Sequence, residues 1–130
     1  MIEKFLVSEL GTIHELNNQF YPVAAPVGGL AGNFCIYTRV SGNVQRDLSA
    51  EPVFYWDVYR LDLYGDDTDV LFALEQTVID SLTKTNIAFG DLYIFSAEAA
   101  PGAPDGFDLT MEIHQRSITY TVTYWRLFNA

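Results

Sequence analysis

The chain has 130 residues, 49% of them hydrophobic and 15% aromatic, enough apolar material for one ordinary domain with its own core. Seventeen acidic residues stand against seven basic ones, a formal charge of -10. That balance repels a phosphate backbone and lacks the clustered Lys/Arg of a nucleic-acid grip, so direct DNA or RNA binding is excluded from the expected functions.

In chain order, the apolar start is broken at once by Glu3, Lys4, Ser8 and Glu9, which leaves neither the apolar stretch of a secretory signal nor the length of a membrane span. A cytosolic site of synthesis is expected. Ile2, Phe5, Leu6, Ile13 and Leu16 recur at helical spacing and predict an amphipathic helix over 2–16 that tolerates Gly11. Prolines 22 and 26 with glycines 28, 29 and 32 predict a loop crossing the domain after Tyr21. A first strand follows over 34–40. It carries Cys35, the single cysteine, which excludes an intrachain disulfide and reads as a small buried side chain. The polar stretch from Ser41 to Pro52, including Arg46 and Asp47, is too long for a tight hairpin and predicts a protruding connecting arm.

The second strand, 53–64, carries apolar residues on both faces. Phe54, Trp56 and Val58 lie on one, and Val53, Tyr55, Tyr59, Leu61 and Leu63 on the other. Asp66, Asp67 and Thr68 then offer an N-cap and acidic first turn for a helix ending near 84–86, with Leu71, Leu74, Val78, Ile79 and Leu82 as its apolar stripe. A third strand is expected over 88–95 and an exposed Pro/Gly-rich loop over 97–106. In the last strand Ile118, Tyr120, Val122 and Tyr124 alternate with Ser117, Thr119, Thr121 and Thr123. The order α-β-β-α-β-β gives an α+β class: a mainly antiparallel four-stranded sheet, two helices packed on one face, one domain over 1–130. Two helices blanket one sheet face, so the opposite face of the second strand must meet another sheet, a loop or a neighbouring subunit, of which the neighbour is favoured.

The search for chemistry finds no assembled set. Asp57 interrupts an apolar strand face, a setting that suits a general acid, but a strand carboxylate more often pairs with a base on a neighbouring strand, here Arg39 or Arg126. Arg60 and Asp62 read as the solvated end of the same strand. His14 and His114, even with Glu112, fall short of the three or four convergent ligands a metal needs. No Gly-x-Ser-x-Gly elbow occurs, and the glycines of 28–32 lack the Lys-Ser/Thr ending of a phosphate loop. No catalytic, cofactor-binding or metal residues are therefore assigned, and the protein is not expected to be an enzyme. Tyrosine and tryptophan are the usual anchors of protein interfaces, and part of the aromatic excess is assigned to contacts between subunits.

Tyr21-Pro22 and Pro26, Tyr37-Thr-Arg-Val-Ser-Gly42, Trp56-Asp-Val-Tyr59, the helix Val70–Leu82 and Arg116-Ser-Ile-Thr-Tyr120 together form a pattern along nearly the whole chain. It resembles the tail-completion or tail-terminator proteins of long-tailed bacteriophages. The resemblance implies a non-enzymatic virion-assembly protein without cofactor. In that role it forms a hexameric ring on the head-proximal end of the tail tube, ends tube polymerisation and joins tail to head. Its partners are then copies of itself, the tail tube protein and a neck or connector protein; DNA passes through the lumen without sequence-specific binding, and no membrane is involved. It would assemble in the host cytoplasm and reside in the virion tail. Candidate interface residues are Tyr21, Arg39, Arg46, Asp47, Trp56, Tyr59, Tyr124 and Trp125. The arm 41–52 and the loop 97–106 are candidates for the axial or lateral contacts. A neck or stopper protein between portal and tail is the alternative in the same assembly. A small ligand-binding or enzymatic α+β domain built on Asp57, or an adaptor that pairs its strand edge with a peptide, are the alternatives outside it.

Overall fold

The computed structural model describes residues 2–16, 19–22, 33–46, 52–102, 106–108 and 113–126. Helix α1 (Ile2–Leu10) is shorter than its periodicity suggests: the chain turns at Gly11 and Thr12 and resumes as a single 3-10 turn, His14–Leu16. Glycine is a poor helix interior residue, and Ile13, just before the 3-10 turn, and Leu16, at its end, reach the core instead. Strands β1 (Phe20–Pro22), β2 (Phe34–Arg46) and β3 (Pro52–Gly65) follow. Helix α2 (Thr68–Leu82) begins where the capping residues place it, the Asp67 carboxylate accepting from the backbone N–H of Asp69 at 2.9 Å and Val70 at 3.1 Å. Strands β4 (Lys84–Phe89), β5 (Leu92–Pro101), β6 (Gly106–Asp108) and β7 (Ile113–Arg126) complete the chain.

The four-stranded antiparallel sheet expected from sequence is corrected. Six strands run in the order β1-β2-β3-β7-β5-β4, with β6 paired in addition to the start of β7. The sheet is mixed, because β1 pairs parallel with β2 through Phe20–Cys35, Tyr21–Ile36 and Pro22–Tyr37. The physical reasons for the discrepancy are local. Three residues are too few for β1 to display a period of two. The region read as one strand over 88–95 is a hairpin, β4 and β5 joined by Gly90-Asp91, with Gly90 at φ +60°. β4 has mostly exposed side chains, so no apolar alternation marks it. Half of the expected arm is strand, since β2 extends to Arg46 and pairs with β3 as far as Pro52; residues 47–51 lie outside the described set. The expected loop over 97–106 likewise begins as strand, with Ala97 to Pro101 paired to Val122 to Ile118.

Both helices pack on the same face. Their buried residues, Ile2, Phe5, Leu6 and Leu10 from α1 and Leu71, Leu74, Val78 and Leu82 from α2, join Tyr59, Leu61 and Leu63 of β3 and Ile118, Tyr120 and Val122 of β7 in one core. Cys35 lies in it, fully buried, and burial pushes its thiol far up, out of the reactive range. Glu75 of α2 is also buried and is held by Arg116 of β7, whose Nε donates at 2.7 Å and Nη2 at 3.4 Å to the two carboxylate oxygens. The Arg116 guanidinium lies 4.9 Å over the Phe72 ring, so one side chain ties α2 to the middle of the sheet.

Candidate functional site

On β3 the alternation read from sequence is realised: Tyr59, Leu61 and Leu63 are buried toward the helices, and Phe54, Trp56 and Val58 point the other way. No described helix or strand covers that second face. At the end of the sheet away from α2's N-terminus it carries an aromatic cluster assembled from three strands. Trp125 of β7 pairs with Tyr93 of β5, and the Phe54 ring of β3 lies 5.9 Å from the Trp125 ring. Tyr93 and Trp125 stack at 5.0 Å with an interplanar angle of 17°, and Phe54 meets Phe95 edge-to-face at 5.2 Å. Phe95 is the extra residue of a β-bulge between Ile94 and Ser96, which lets Ile94 and Ala97 both face the core while Phe95 joins the outer cluster and touches Trp125. The bulge is the feature that a strict period of two conceals. Trp56 sits in the next row opposite Thr123. All five aromatic rings are only partly buried. Further along, Phe34 and Tyr64 stack at 4.9 Å on the same face.

Asp57 faces the helix side and is not an isolated carboxyl. Arg39 Nη2 donates to its Oδ1 at 3.1 Å and the Tyr124 hydroxyl donates to Oδ2 at 3.0 Å. A bulge between Arg39 and Ser41 turns Arg39 and Gly42 to this same side, and the guanidinium lies across Gly42, where any Cβ would collide with it. The Tyr-x-Arg-x-x-Gly spacing thus has a local steric meaning. Of the two bases foreseen for Asp57, Arg39 takes the position. Asp62, read as solvated, is buried on the outer face, accepting from Ser117 Oγ at 2.6 Å and Arg60 Nε at 3.0 Å. One donor, Arg60, lies two residues back on the same strand; the other, Ser117, is the register partner on β7, which a single-strand reading does not reveal.

The expected interface residues do not converge on one place. Trp56 and Trp125 are on the outer face; Tyr59 and Tyr124 are buried on the helix side; Arg39 is exposed but tied to Asp57; Tyr21 is partly buried in β1. Arg46 ends β2, and Asp47 lies outside the described residues, as does Glu112. His14 and His114 are far apart in the fold, in the 3-10 turn and at the start of β7, with His114 near the Thr68 hydroxyl at 3.3 Å. Among the described residues no group of three His, Cys, Asp or Glu side chains is placed to hold a metal, and no described helix is long and apolar enough to cross a membrane.

Burial is the first cause of the raised values of Tyr59, Tyr120 and Tyr124. It raises Tyr59 to about 12, with the Asp57 charge adding to the effect, and it raises Tyr120 and Tyr124 further, with Glu9 and Asp57 as their respective second causes. The Tyr120 hydroxyl has no hydrogen-bond partner among the described residues. The sign follows: a folded-state value above the unfolded value of 10.0 contributes stability that is complete below pH 10 and is lost as pH rises through the folded value. Spectrophotometric titration at rising pH is therefore expected to ionise Tyr59, Tyr120 and Tyr124 late, together with alkaline unfolding. Ionisation of every tyrosine near pH 10 with the fold intact contradicts this packing.

Neither a protein-family model nor a curated protein matches the sequence. Among solved structures, a chain of the virion of a native gene transfer agent (GTA) particle shares the fold, at a TM-score of 0.60 and 15% identity, over 92% of this chain and 83% of that one.

Proposed function

We propose that the protein is a non-enzymatic structural component of a phage-like particle, and within it the ring that caps the tail tube, ends its polymerisation and joins it to the head. The observation that carries this is the similarity of fold along 92% of the chain to a component of a gene transfer agent virion. The sheet face with partly exposed aromatic rings and no described cover supports it, since a ring subunit needs such a surface. The charge of -10 suits a conduit past which DNA slides without sticking. In this reading the chain works as a hexamer between the tube protein and a neck protein, and the outer aromatic face replaces the scattered set of interface residues expected from sequence.

Electron microscopy of particles made with this gene alone disrupted is the test. Full heads beside detached tails of abnormal or variable length are expected. Unattached heads leaking DNA beside tails of normal length move the protein to the neck, and intact infectious particles reject both roles.

A further inference from the structure

Among the described residues, four large apolar side chains stand exposed, Val40, Val44, Val70 and Phe72, between 39% and 60% open to solvent, and they fall in two places. Val40 and Val44 are on β2, Val40 as the extra residue of its bulge and Val44 beside Tyr55. Arg39 lies with them across Gly42, and its ion pair shows solvent the positive half, since the Arg39 side chain is 59% exposed and that of Asp57 is 7%. Val70 and Phe72 are in the first two turns of α2. At roughly 100° per residue Asp69 lies between them around the helix. Asp69 is exposed and has no ion-pair partner among the described residues, while the charge of Arg116, which lies over the Phe72 ring, is matched by Glu75. One apolar pair thus carries a cation and the other a carboxylate. The two are at opposite ends of the sheet: Val44 is level with Tyr55, whereas α2 starts beside Gly65 and His114, about 33 Å further along β3 at the rise of a strand. They cannot meet within one molecule.

We propose that these two patches dock against each other in neighbouring copies of the chain: Val70 and Phe72 of one copy pack on Val40 and Val44 of the next, and the Asp69 carboxylate accepts from the Arg39 guanidinium. Two copies of net charge -10 repel over most of their surfaces, so contact is favoured where a cation of one meets a carboxylate of the other. Asp57 takes one Arg39 donor, Nη2, and so orients the guanidinium before docking, which lowers the side-chain order lost on binding. The contact joins unlike patches, so it repeats from copy to copy and closes into a ring when the rotation allows. It leaves the outer aromatic face to the other contacts of the assembly. This rests on the ring reading above and assigns a subunit contact within it.

The purified full chain is expected to associate with rising concentration in sedimentation velocity. Asp69→Arg sets cation against cation across the contact, and Val44→Asp sets carboxylate against carboxylate; each is expected to weaken association by about tenfold or more. Both replaced side chains are exposed, so both variants are expected to fold, which far-ultraviolet circular dichroism and thermal melting check. Mixed one to one, the two variants are expected to associate again, to within about threefold of the unmodified chain, because every junction between unlike copies then joins opposite charges. Association of Asp69→Arg as tight as that of the unmodified chain, or a mixture of the folded variants no tighter than either alone, overturns this contact and leaves the ring reading standing. An unmodified chain that remains monomeric overturns self-docking, and particle morphology then decides the ring reading separately.

Discussion

Replacing Arg116 by alanine is expected to lower the unfolding free energy by about 3–5 kcal/mol, because it strands the Glu75 carboxylate in the interior. Glu75 has a side-chain exposure of 4% and Arg116 of 17%, so solvent screens this pair far less than the exposed Arg39–Asp57 and Arg60–Asp62 pairs, whose arginines are 59% and 57% exposed. Two donors of one guanidinium reach both carboxylate oxygens, and the same group covers Phe72, so truncation also removes packing. The double variant Arg116→Met with Glu75→Leu is expected to recover most of the loss, since an apolar pair has no charge to desolvate. Urea unfolding measures both. A loss below about 1 kcal/mol for Arg116→Ala means that the pair is solvated in solution and contributes only what a surface ion pair does.

The second large effect is expected at Phe5. It is 1% exposed, and its ring meets Phe89 of β4 edge-to-face at 5.3 Å, which anchors α1 against the edge of the sheet. Nine residues are too few for a helix to persist in water by itself, so α1 is helical because it is docked. Surface links are weaker: the Lys84–Glu9 ion pair at 2.6 Å holds the same two elements together, but Lys84 is 41% exposed. Phe5→Ala is expected to cost about 3–5 kcal/mol and Phe5→Leu about 1–1.5 kcal/mol. Hydrogen exchange localises the effect. Amides of α1 are expected to lose protection first in Phe5→Ala, whereas uniform loss across the sheet means that α1 and the core unfold as one unit.

These two sites differ in how far they can be read from the chain. Phe5 is legible, since its place in the helical apolar stripe assigns it to the core. Arg116 is recognisable as part of the pattern along the chain, but its partner lies 41 residues away on α2, and neither periodicity nor spacing supplies that pairing. Asp57 stands between these cases. Its class of partner follows from the cost of burying a carboxylate, and the bulge at Arg39 and Ser41 selects Arg39. Asp62 looks solvated in the sequence because it and Arg60, on either side of Leu61, stand near a strand end, and only the register sets Ser117 beside it.

The sequence by itself determined the elements whose periodicity is strong and whose ends are chemically marked. These are the cap of α2 at Asp67, the alternation of β7, the buried Cys35 and the two apolar faces of β3. It also set the charge that argues against nucleic-acid binding. The tertiary structure alone decided the parallel pairing of β1, the mixed strand order, the Gly90-Asp91 hairpin and the bulges that bring Phe95 to the outer face and Arg39 to Asp57. The reason is physical. Side-chain periodicity records which face an element buries, whereas strand order and bulges depend on hydrogen bonds between backbones that are the same for every residue, and on neighbours distant in the chain.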